Sequence, residues 1–531
     1  MTLIDIFDRM IMNIRQIEKV NIMSKKRKLA QSAAMISIFT LISKALGFVR
    51  EVMIANRFGS GMETDTYFVA MTATVIIMGT LGAALNTTLV PIFSEIGEKY
   101  GKKGKLKYLN NIFNIVLVIT IFIVILGYIF SPTVIKILAK GFHGKQFKLA
   151  VKLNRVGLPI AILLGFTYVF SGLLHSSQIF GPPAISGLPY NFVFLIYLFF
   201  FAKDSNVVVL MVVTVIAALA QFLILVPAVS HMGYKYKFEI NLKDKYLSKA
   251  IVLILPVLIG SAVQQINVVI DKTLASGLID GSISALSYAS KVNDMVIAVF
   301  IMAITTVIFP MLSQAFSQND NGKVKEILGL GINIILIITV PATVGLLILS
   351  EPMVYLFFER NAFDELATYM TSKALIFYSI GLIGSSLRLM LNRVYYSLQD
   401  TKTPMINGIV AVFINLALNL LLIKPMAHMG LALATSISST ITTLMLFLSL
   451  RRKIGSIGLT KYLICFIKTL VASLAMGIVV YLIYYKLGAV IATTKVMKMV
   501  MLLASVVVGV IVYFVLCVVF RIKELGIIFK R

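Results

Sequence analysis

The sequence predicts an all-α polytopic membrane protein with about fourteen transmembrane helices, in which two pseudo-symmetric six-helix lobes are followed by two extra C-terminal helices. Three observations support this fold class. Hydrophobic residues make up 59% of the chain and charged residues only 13%, whereas soluble domains are about half apolar and a quarter charged. The apolar residues are concentrated in runs long enough to cross a bilayer. Several short motifs recur in the same order in the two halves of the chain.

The fourteen predicted spans are apolar runs near the length of about 20 residues that a membrane-crossing helix needs. In chain order they lie near 31–58, 65–94, 108–130, 150–175, 184–202, 206–230, 248–275, 284–314, 326–349, 367–392, 404–423, 429–450, 462–485 and 496–520. Polar or charged connections separate the runs, so the chain is expected to pass back and forth across the membrane.

The formal net charge of +27 could suggest a nucleic-acid partner, but the distribution of the charge excludes that interpretation. The excess Lys and Arg residues lie mostly in alternate connections, at 25–28, 99–107, 235–249 and 451–453, and after the last run, at 521–531. Such residues mark the cytoplasmic side of a membrane protein. The other connections carry fewer of them, apart from the one at 136–148. The pattern predicts that both termini are cytoplasmic.

The two lobes are predicted from motifs that recur about 220 residues apart. The segments 87–94, 131–134 and 176–187 correspond to 305–313, 351–354 and 397–408. The predicted organisation is a cytoplasmic extension at 1–29, with either Met1 or Met23 as its start, a first lobe at 30–245, a second lobe at 246–455, and a helix pair with a cytoplasmic tail at 456–531. Two-lobe transporters bind their substrate between the repeats and work by alternating access.

Several charged residues lie inside the predicted spans. Lys44, Arg50 and Glu51 are in the first span, and Lys291 is in the eighth. Because ionisable residues at membrane depth are costly, they usually face a protein interior or a water-filled cavity. A chamber between the lobes lined by Lys44, Arg50 and Lys291 would attract a polyanion, most obviously phosphate. The alternatives are that Arg50 and Glu51 neutralise each other, and that Lys291 pairs with Asp294, three residues further on.

A second group of polar residues lies in the spans of the second lobe. Asp271 is in the seventh span, Asn415 and Asn419 are four residues apart in the eleventh, and Thr435 is in the twelfth. Carboxylate, amide and hydroxyl oxygens could bind a hard monovalent cation or relay a proton. The alternative is that they form hydrogen bonds that only hold the helices together.

Catalytic and nucleotide-binding motifs are absent from the sequence. It contains no Walker A loop, no HExxH and no GxSxG, and its two cysteines and four histidines form no ligand pattern. The chain is therefore predicted not to be an enzyme and to need no metal or organic cofactor. Without a nucleotide site, the energy for transport would come from an ion gradient, the membrane potential or the flow of substrate.

Several motifs resemble those of the MurJ (MviN) family of lipid II flippases, which belongs to the MOP exporter superfamily. They extend from about residue 30 to 440 and are found at 43–51, 64–70, 86–93, 265–267, 288–291, 356–363 and 399–404. The family has two six-helix lobes followed by helices 13 and 14, which is the organisation that the apolar runs and repeats predict.

The resemblance implies a substrate and roles for particular residues. The substrate would be lipid II, an undecaprenyl-diphosphate-linked disaccharide-pentapeptide, moved from the inner to the outer leaflet of the bacterial plasma membrane. Arg50, Lys44 and Lys291 would bind the diphosphate and headgroup. Glu51, Asp65 and Ser43 would act in gating or ion pairing, and the last two spans would hold the polyprenyl tail. The family often has Arg at positions 44 and 291, so Lys at both keeps the charge but loses the bidentate fork.

The resemblance also carries expectations about partners and leaves rival functions open. The expected partners are lipid II and membrane lipids, with cell-wall synthesis enzymes as candidates, no nucleic acid, and a monomeric chain. Coupling to Na⁺ or H⁺ through the group around Asp271 is a further hypothesis. The alternatives are a flippase for another undecaprenyl-diphosphate-linked oligosaccharide, a multidrug exporter of the same superfamily, and a scaffold that transports nothing.

Overall fold

The computed structural model describes residues 38–202, 206–318, 320–491 and 493–522. The predicted extension at 1–29 and the start of the first span lie outside these residues, as does most of the C-terminal tail. Within them the regular secondary structure is helical, with no β-strand. The all-α fold class predicted from the apolar runs is therefore confirmed.

The helices of the first half follow the first six predicted spans. They are α1 (38–58), α2 (Met62–Ile129), α3 (Ser131–Leu138), α4 (Gly144–Gly157), α5 (Ile160–Ser176), α6 (Gly181–Ile185), α7 (Gly187–Phe200), α8 (Val207–Leu223) and α9 (Val226–His231). Short breaks within some spans, such as the one between α4 and α5, divide a single membrane crossing into two helices.

The second half and the C-terminal pair follow the remaining predicted spans. The helices are α10 (Lys245–Ala275), α11 (Ser282–Val296), α12 (Met302–Ser317), α13 (Asn321–Phe357), α14 (Glu365–Ile380), α15 (Leu382–Ser397), α16 (Lys402–Ile454), α17 (Leu459–Tyr481), α18 (Gly488–Ile491) and α19 (Lys495–Val519). Two π-helical turns, Ile297–Ile301 and Leu482–Leu487, join α11 to α12 and α17 to α18.

Two of these helices are long because each contains two crossings. The backbone of α2 leaves the helical region at Gly101, where φ is 64°, and that of α16 leaves it at Ala427, where φ is 49°. Eight of the described helical stretches are long and apolar enough to cross a membrane, or nine when the bent pair Glu365–Ile380 and Leu382–Ser397 is one crossing. Dividing α2 and α16 at their breaks brings the helices into register with the predicted runs.

The backbone supports the predicted internal repeat. Gln178 follows the end of α5 and has a φ of 60°, and Gln399 follows the end of α15 and has a φ of 56°. Positive φ is uncommon for residues other than glycine. Its occurrence at matched positions of the segments 176–187 and 397–408 is therefore independent support for their correspondence.

The first helix of the second lobe, α10, packs partly against the first lobe. Its Tyr246, Leu247 and Ala250 belong to the hydrophobic core that also contains Leu109 and Phe170. The hydroxyl of Tyr108 also donates a hydrogen bond to the Tyr246 carbonyl, at 3.4 Å. The boundary predicted at residue 246 thus falls where the chain is still packed in the core of the first lobe.

An ion pair reinforces this contact at the end of the lobes that is predicted to be cytoplasmic. The Lys249 ammonium lies 2.5 Å from Glu95 Oε2, and the Lys99 ammonium lies 2.8 Å from Glu95 Oε1. The two hydrogen bonds, from Lys249 and then Lys99, lower the pKa of Glu95 to about 2. Glu95 therefore stays ionised in this contact at any physiological pH.

The C-terminal pair packs against the second lobe through α13. The Tyr513 hydroxyl donates a hydrogen bond of 2.7 Å to the Ile337 carbonyl, and the Tyr485 hydroxyl donates one of 3.1 Å to the Ile348 carbonyl. Cys465 and Cys517 are both buried in this region, and neither forms a disulfide bond within the described part of the chain. The last two spans are therefore attached to one lobe by tyrosine hydroxyls, one of which, that of Tyr513, belongs to a buried residue.

Candidate functional site

A cavity of about 320 Å³ lies between the two lobes. Its walls come from α1 and from α11 with the π-helical turn that follows, and its lining residues are Leu41, Lys44, Ala45, Gly47, Phe48, Arg50, Glu51, Lys291, Asp294, Met295, Ala298 and Val299. The three predicted substrate-binding cations, Lys44, Arg50 and Lys291, are therefore brought together on one cavity from opposite lobes. We refer to this space as the inter-lobe cavity.

Arg50 is held in place by an ion pair, a hydrogen bond and two aromatic rings. Its Nη2 lies 2.7 Å from Glu51 Oε1, and its Nη1 donates a hydrogen bond of 3.1 Å to Asn191 Oδ1. The guanidinium lies 5.3 Å from the ring centre of Tyr190 and 5.2 Å from that of Phe194. In this conformation Arg50 is thus paired with the neighbouring carboxylate, which is the alternative that the sequence analysis left open for Arg50 and Glu51.

Glu51 and Asn191 connect Arg50 to the surrounding helices. The second carboxylate oxygen of Glu51 is buried and accepts no hydrogen bond from any residue that the structure describes. The amide of Asn191 donates hydrogen bonds to the Ser43 carbonyl, at 2.9 Å, and to the Gly187 carbonyl, at 3.0 Å. Ser43 therefore fastens α1 to α7 and does not line the inter-lobe cavity.

Lys44 and Lys291 differ from Arg50 because they have no carboxylate partner. Both side chains are exposed to the cavity, and neither lies within 4.0 Å of an acidic group in the described part of the chain. Asp294 lines the same cavity without forming the predicted alternative pair with Lys291. With Arg50 and Glu51 included, three cations face two carboxylates, so the lining has an excess of positive charge.

The backbone of the second-lobe wall departs from the α-helix beside this charge. Ile297–Ile301 form a π-helical turn, and two of its residues, Ala298 and Val299, line the cavity. A π-turn inserts an extra residue into the helix and is frequent at functional sites. Here the π-turn begins at Ile297, three residues beyond Asp294 and six beyond Lys291 on the same wall.

An aromatic layer closes the inter-lobe cavity on one side. Phe48 packs on Phe358 with ring centres 6.1 Å apart, and Phe68 packs on Tyr288 at 5.5 Å. Tyr288 and Phe358 lie 5.3 Å apart, and Phe358 also contacts Phe363 at 5.7 Å. Since Phe48 and Phe68 come from the first lobe and the others from the second, the layer joins the lobes across the predicted outer half of the membrane.

Asp65 lies beyond this layer and caps a helix of the opposite lobe. Its Oδ2 accepts a hydrogen bond of 2.8 Å from the Gly281 amide, and its Oδ1 accepts bonds of 2.7 Å from both the amide and the hydroxyl of Ser284. Gly281 is the N-cap of α11 and has no side chain of its own to serve this purpose. A carboxylate is favourable there because the N-terminus of a helix carries partial positive charge.

Backbone contacts surround the Asp65 cap and complete an outer seal, which we define as the contacts of 56–65 and 137–141 with 273–288 and 359–363. The Tyr288 hydroxyl donates to the Gly59 carbonyl at 3.2 Å. The Ala362 amide donates to the Asn56 carbonyl at 3.3 Å. These contacts join the lobes at the end predicted to be extracellular, so the cavity is closed toward that side.

The second predicted group is assembled as a hydrogen-bonded cluster between α10 and α16. The Asn419 amide donates to Asp271 Oδ1 at 2.7 Å and to Asn415 Oδ1 at 2.9 Å, and the Asn415 amide donates to Thr435 Oγ1 at 3.3 Å. Asn419 Oδ1 is buried and has no partner among the described residues. Those residues contain no group of three or more His, Cys, Asp or Glu that could hold a metal ion. In this conformation the four side chains are linked by hydrogen bonds to one another.

Some residues of the site have no counterpart in the sequence-based predictions. Asn191 could have been identified, because an amide within the apolar run 184–202 is itself a signal of a buried polar contact. The cation–π partners Tyr190 and Phe194 could not have been identified from the sequence, because aromatic residues are common in the spans. The π-helical turn at 297–301 also has no local signature in its residues, which are all apolar.

Comparisons with known proteins agree on one family. The sequence profile described as "Lipid II flippase MurJ" matches residues 54–505. A "Probable lipid II flippase MurJ" from Rickettsia prowazekii is 28% identical over 492 residues, which cover 92% of this chain and 96% of the relative. The solved structure "Lipid II flippase MurJ, inward closed conformation" superposes with a TM-score of 0.77 at 27% identity and covers 92% of this chain and 99% of its own.

A more distant structure shares the fold. An inward-facing multidrug resistance MATE family transporter of the MOP superfamily superposes with a TM-score of 0.65 at 14% identity, covering 79% of this chain and 98% of its own. At that identity the likeness concerns the fold and carries no information about the substrate.

Proposed function

Because this chain belongs to the lipid II flippase MurJ family, we propose that it moves lipid II from the inner to the outer leaflet of the plasma membrane by alternating access through the inter-lobe cavity. The headgroup of such a lipid carries a diphosphate, sugars and a peptide. Each polar group that enters hydrocarbon without a hydrogen bond costs several kcal/mol. The cavity would replace water around the headgroup while the polyprenyl tail stays in the bilayer.

The observation that carries this proposal is the convergence of cations from two lobes on one cavity. Lys44 and Arg50 lie on α1 and Lys291 on α11, and all three line the same space. A diphosphate is an acceptor for such donors, and charge-assisted hydrogen bonds are about twice as strong as neutral ones. A multidrug exporter for cationic substrates would be expected to have an anionic cavity, so the excess positive charge favours a diphosphate-linked lipid.

Arg50 is proposed as the main contact of the diphosphate. Its planar fork can bind two phosphate oxygens, and its position is set by Glu51, Asn191 and the two aromatic rings. In this mechanism the phosphate competes with Glu51 for the guanidinium. Lys44 and Lys291 need no such exchange, because neither has a carboxylate partner among the described residues.

Alternating access requires the outer seal to open after the headgroup has been bound. We propose that Asp65 is the gating residue, since its carboxylate joins the first lobe to the N-terminus of α11. Release of this cap and of the aromatic layer would expose the cavity to the outside. The direction of transport in this proposal follows from cytoplasmic termini, as the distribution of Lys and Arg predicts.

Asp271 is proposed as the group that couples transport to a monovalent cation or a proton. Its oxygens, the unpartnered Oδ1 of Asn419 and the hydroxyl of Thr435 are an oxygen set suited to a hard cation. Asp271→Asn should remove the response of transport in reconstituted vesicles to an imposed Na⁺ or pH gradient. The exposed Asp280→Asn is the control and should respond as the wild type does. A gradient response that survives Asp271→Asn would contradict this assignment.

The function is tested by the exposure of lipid II on the outer surface of cells depleted of the protein. A toxin that cleaves the headgroup from outside should find less substrate in depleted cells, and wild type should restore cleavage. Arg50→Ala should fail to restore it while the protein still inserts. Arg57→Ala, on the same helix but outside the cavity lining, should restore it.

Two results would redirect the proposal. Unchanged cleavage in depleted cells without a second flippase would favour another diphosphate-linked oligosaccharide as substrate. Full restoration by Arg50→Ala, Lys44→Ala and Lys291→Ala alike would favour a scaffold, because a protein that transports nothing has no use for these cations.

A further inference from the structure

A second cavity, of about 840 Å³, lies apart from the inter-lobe cavity between α12, α13 and the start of α17. It is lined by Met311, Gly322, Lys323, Lys325, Glu326, Ile327, Gly329, Leu330, Asn333, Ser456, Ile457, Gly458, Lys461 and Tyr462. The cavity lies at the junction where the second lobe ends and the C-terminal helix pair begins. None of its residues lines the inter-lobe cavity.

Three lysines of this lining are available to a ligand. Lys323, Lys325 and Lys461 do not lie within 4.0 Å of a carboxylate of the described chain, although Glu326 is part of the same wall. Some other lysines at the ends of helices are paired with a carboxylate, as Lys249 is with Glu95. The concentration of unpaired ammonium groups around one cavity therefore suggests an anionic ligand.

The position of the cavity indicates where such a ligand would come from. The helix α13 starts here at Asn321 and ends at Phe357, beside the outer seal, so its start faces the cytoplasmic side. The helix α17 also starts here, and its N-cap Gly458, with a φ of 74°, has no side chain to cap the first amides. The N-terminus of α17 adds partial positive charge at the level of the lysines. The N-terminus of α13 is capped by Asp320, whose Oδ1 accepts a hydrogen bond of 2.9 Å from the Lys323 amide.

The remaining walls of the cavity are apolar. Ile327, Ile457 and Tyr462 are 5%, 3% and 7% exposed, and Leu330 and Met311 complete this surface. A site that combines ammonium groups at the level of the headgroups with apolar walls matches the chemistry of a phospholipid, since basic pockets between helices on the cytoplasmic side bind anionic headgroups. Lysines that serve only to orient the chain would need no such cavity.

We propose that this cavity binds the headgroup phosphate of an anionic phospholipid of the cytoplasmic leaflet. Lys325 and Lys461 would contact the phosphate from α13 and α17, and the ligand would thereby join the C-terminal pair to the second lobe. The site is independent of the transported substrate, so its failure would leave the proposed function intact.

The test compares lipid binding by full-length variants purified in detergent. Phosphatidylglycerol is titrated onto the wild type, onto Lys325→Gln/Lys461→Gln and onto Lys102→Gln/Lys103→Gln, and bound lipid is counted by native mass spectrometry. The last variant loses two exposed cytoplasmic lysines far from the cavity and is the matched control. Because each lysine near an anionic headgroup contributes about 1 kcal/mol, the double substitution in the cavity should weaken binding by roughly thirtyfold.

Three outcomes separate this site from the alternatives. Loss of phosphatidylglycerol binding in the cavity variant alone, with phosphatidylcholine bound equally by all three proteins, supports the proposal. Equal loss in the control variant would overturn it, because the effect would then be general surface charge. Displacement of the lipid by millimolar inorganic phosphate would also overturn it and assign the cavity to a free phosphate. An unchanged melting temperature of the cavity variant verifies that it is folded.

Discussion

Neutralising Asp65 should open the outer seal without changing the shape of the side chain. Asp65→Asn keeps the volume of the residue but removes the charge that faces the N-terminus of α11. In the structure this carboxylate is 3% exposed and accepts three hydrogen bonds, from the amides of Gly281 and Ser284 and from the Ser284 hydroxyl. Asparagine replaces one carboxylate oxygen with an NH2 group, which cannot accept a hydrogen bond. At least one of the Gly281 and Ser284 donors would therefore face another donor.

The size of the effect follows from these three bonds. Hydrogen bonds to a charged group contribute about 1.5–3 kcal/mol and neutral ones about 0.5–1.5 kcal/mol, so the change removes roughly 1 kcal/mol at each bond. The loss of the favourable interaction between the carboxylate and the helix dipole is included in these values and is not added separately. A total of about 2–3 kcal/mol corresponds to a roughly 30- to 160-fold shift of the equilibrium between the closed and the open outer seal.

The assay uses a cysteine buried within the outer seal. Ser282 is fully buried, and no described residue hydrogen-bonds its hydroxyl, so Ser282→Cys should be tolerated. The native Cys465 and Cys517 are buried and contribute little background. In intact cells, a membrane-impermeant maleimide should label Ser282→Cys slowly in the wild-type background and about two orders of magnitude faster with Asp65→Asn.

The control for this experiment is Glu63→Gln. Glu63 lies in the same first turn of α2 but is exposed and forms no contact across the lobes. Labelling in this variant should match the wild type. Equal labelling rates in Asp65→Asn and wild type would refute the reasoning. An equal acceleration by Glu63→Gln would also refute it, because the effect would then come from the negative charge at the start of α2 and not from the capping of α11 by Asp65.

Two further predictions concern the backbone of the outer seal and the ion pair between Asp400 and Lys453. Gly59 has a φ of 68°, and an added Cβ would lie 2.2 Å from the Ala362 carbonyl oxygen. Gly59→Ala should therefore raise maleimide labelling of Ser282→Cys. Gly61→Ala should not, because an added Cβ there has no atom within 4 Å. Burial opposes ionisation of Asp400, but its hydrogen bond with Lys453 outweighs that effect and lowers the pKa of Asp400 to about 2. A lowered pKa stabilises the fold above the ordinary Asp value near 4, so Asp400→Asn should melt below wild type at neutral pH. The two melting temperatures, measured by circular dichroism, should converge as the pH falls from about 4 to 2.

The arrangement of the spans could be predicted from the sequence because membrane insertion depends on local composition. The free energy of transferring a helix into the bilayer is roughly a sum over about 20 consecutive residues, so apolar runs indicate crossings without knowledge of the fold. The same locality explains why the breaks inside α2 and α16 were predicted as connections between runs. Gly101 lies in the lysine-rich segment 99–107, and Ala427 lies in the short connection between the runs 404–423 and 429–450.

The composition of the cavity was predictable for a similar reason. A lysine or arginine within a span must face protein or water, which brought Lys44, Arg50 and Lys291 into one hypothesis, and all three line the inter-lobe cavity. Asp271 and the two asparagines were identified in the same way. For these residues the cost of burial at membrane depth is a property of the side chain itself.

Only the tertiary structure determined which partner each charge has. Arg50 could have faced the cavity alone, but α7 brings Asn191 to it from 141 residues away, and Glu51 turns toward it. Asp65 meets amides of α11 more than 200 residues later in the chain. Hydropathy reports whether a residue is buried, whereas the choice of partner depends on how whole helices pack, and that packing is a sum of contacts between segments far apart in sequence.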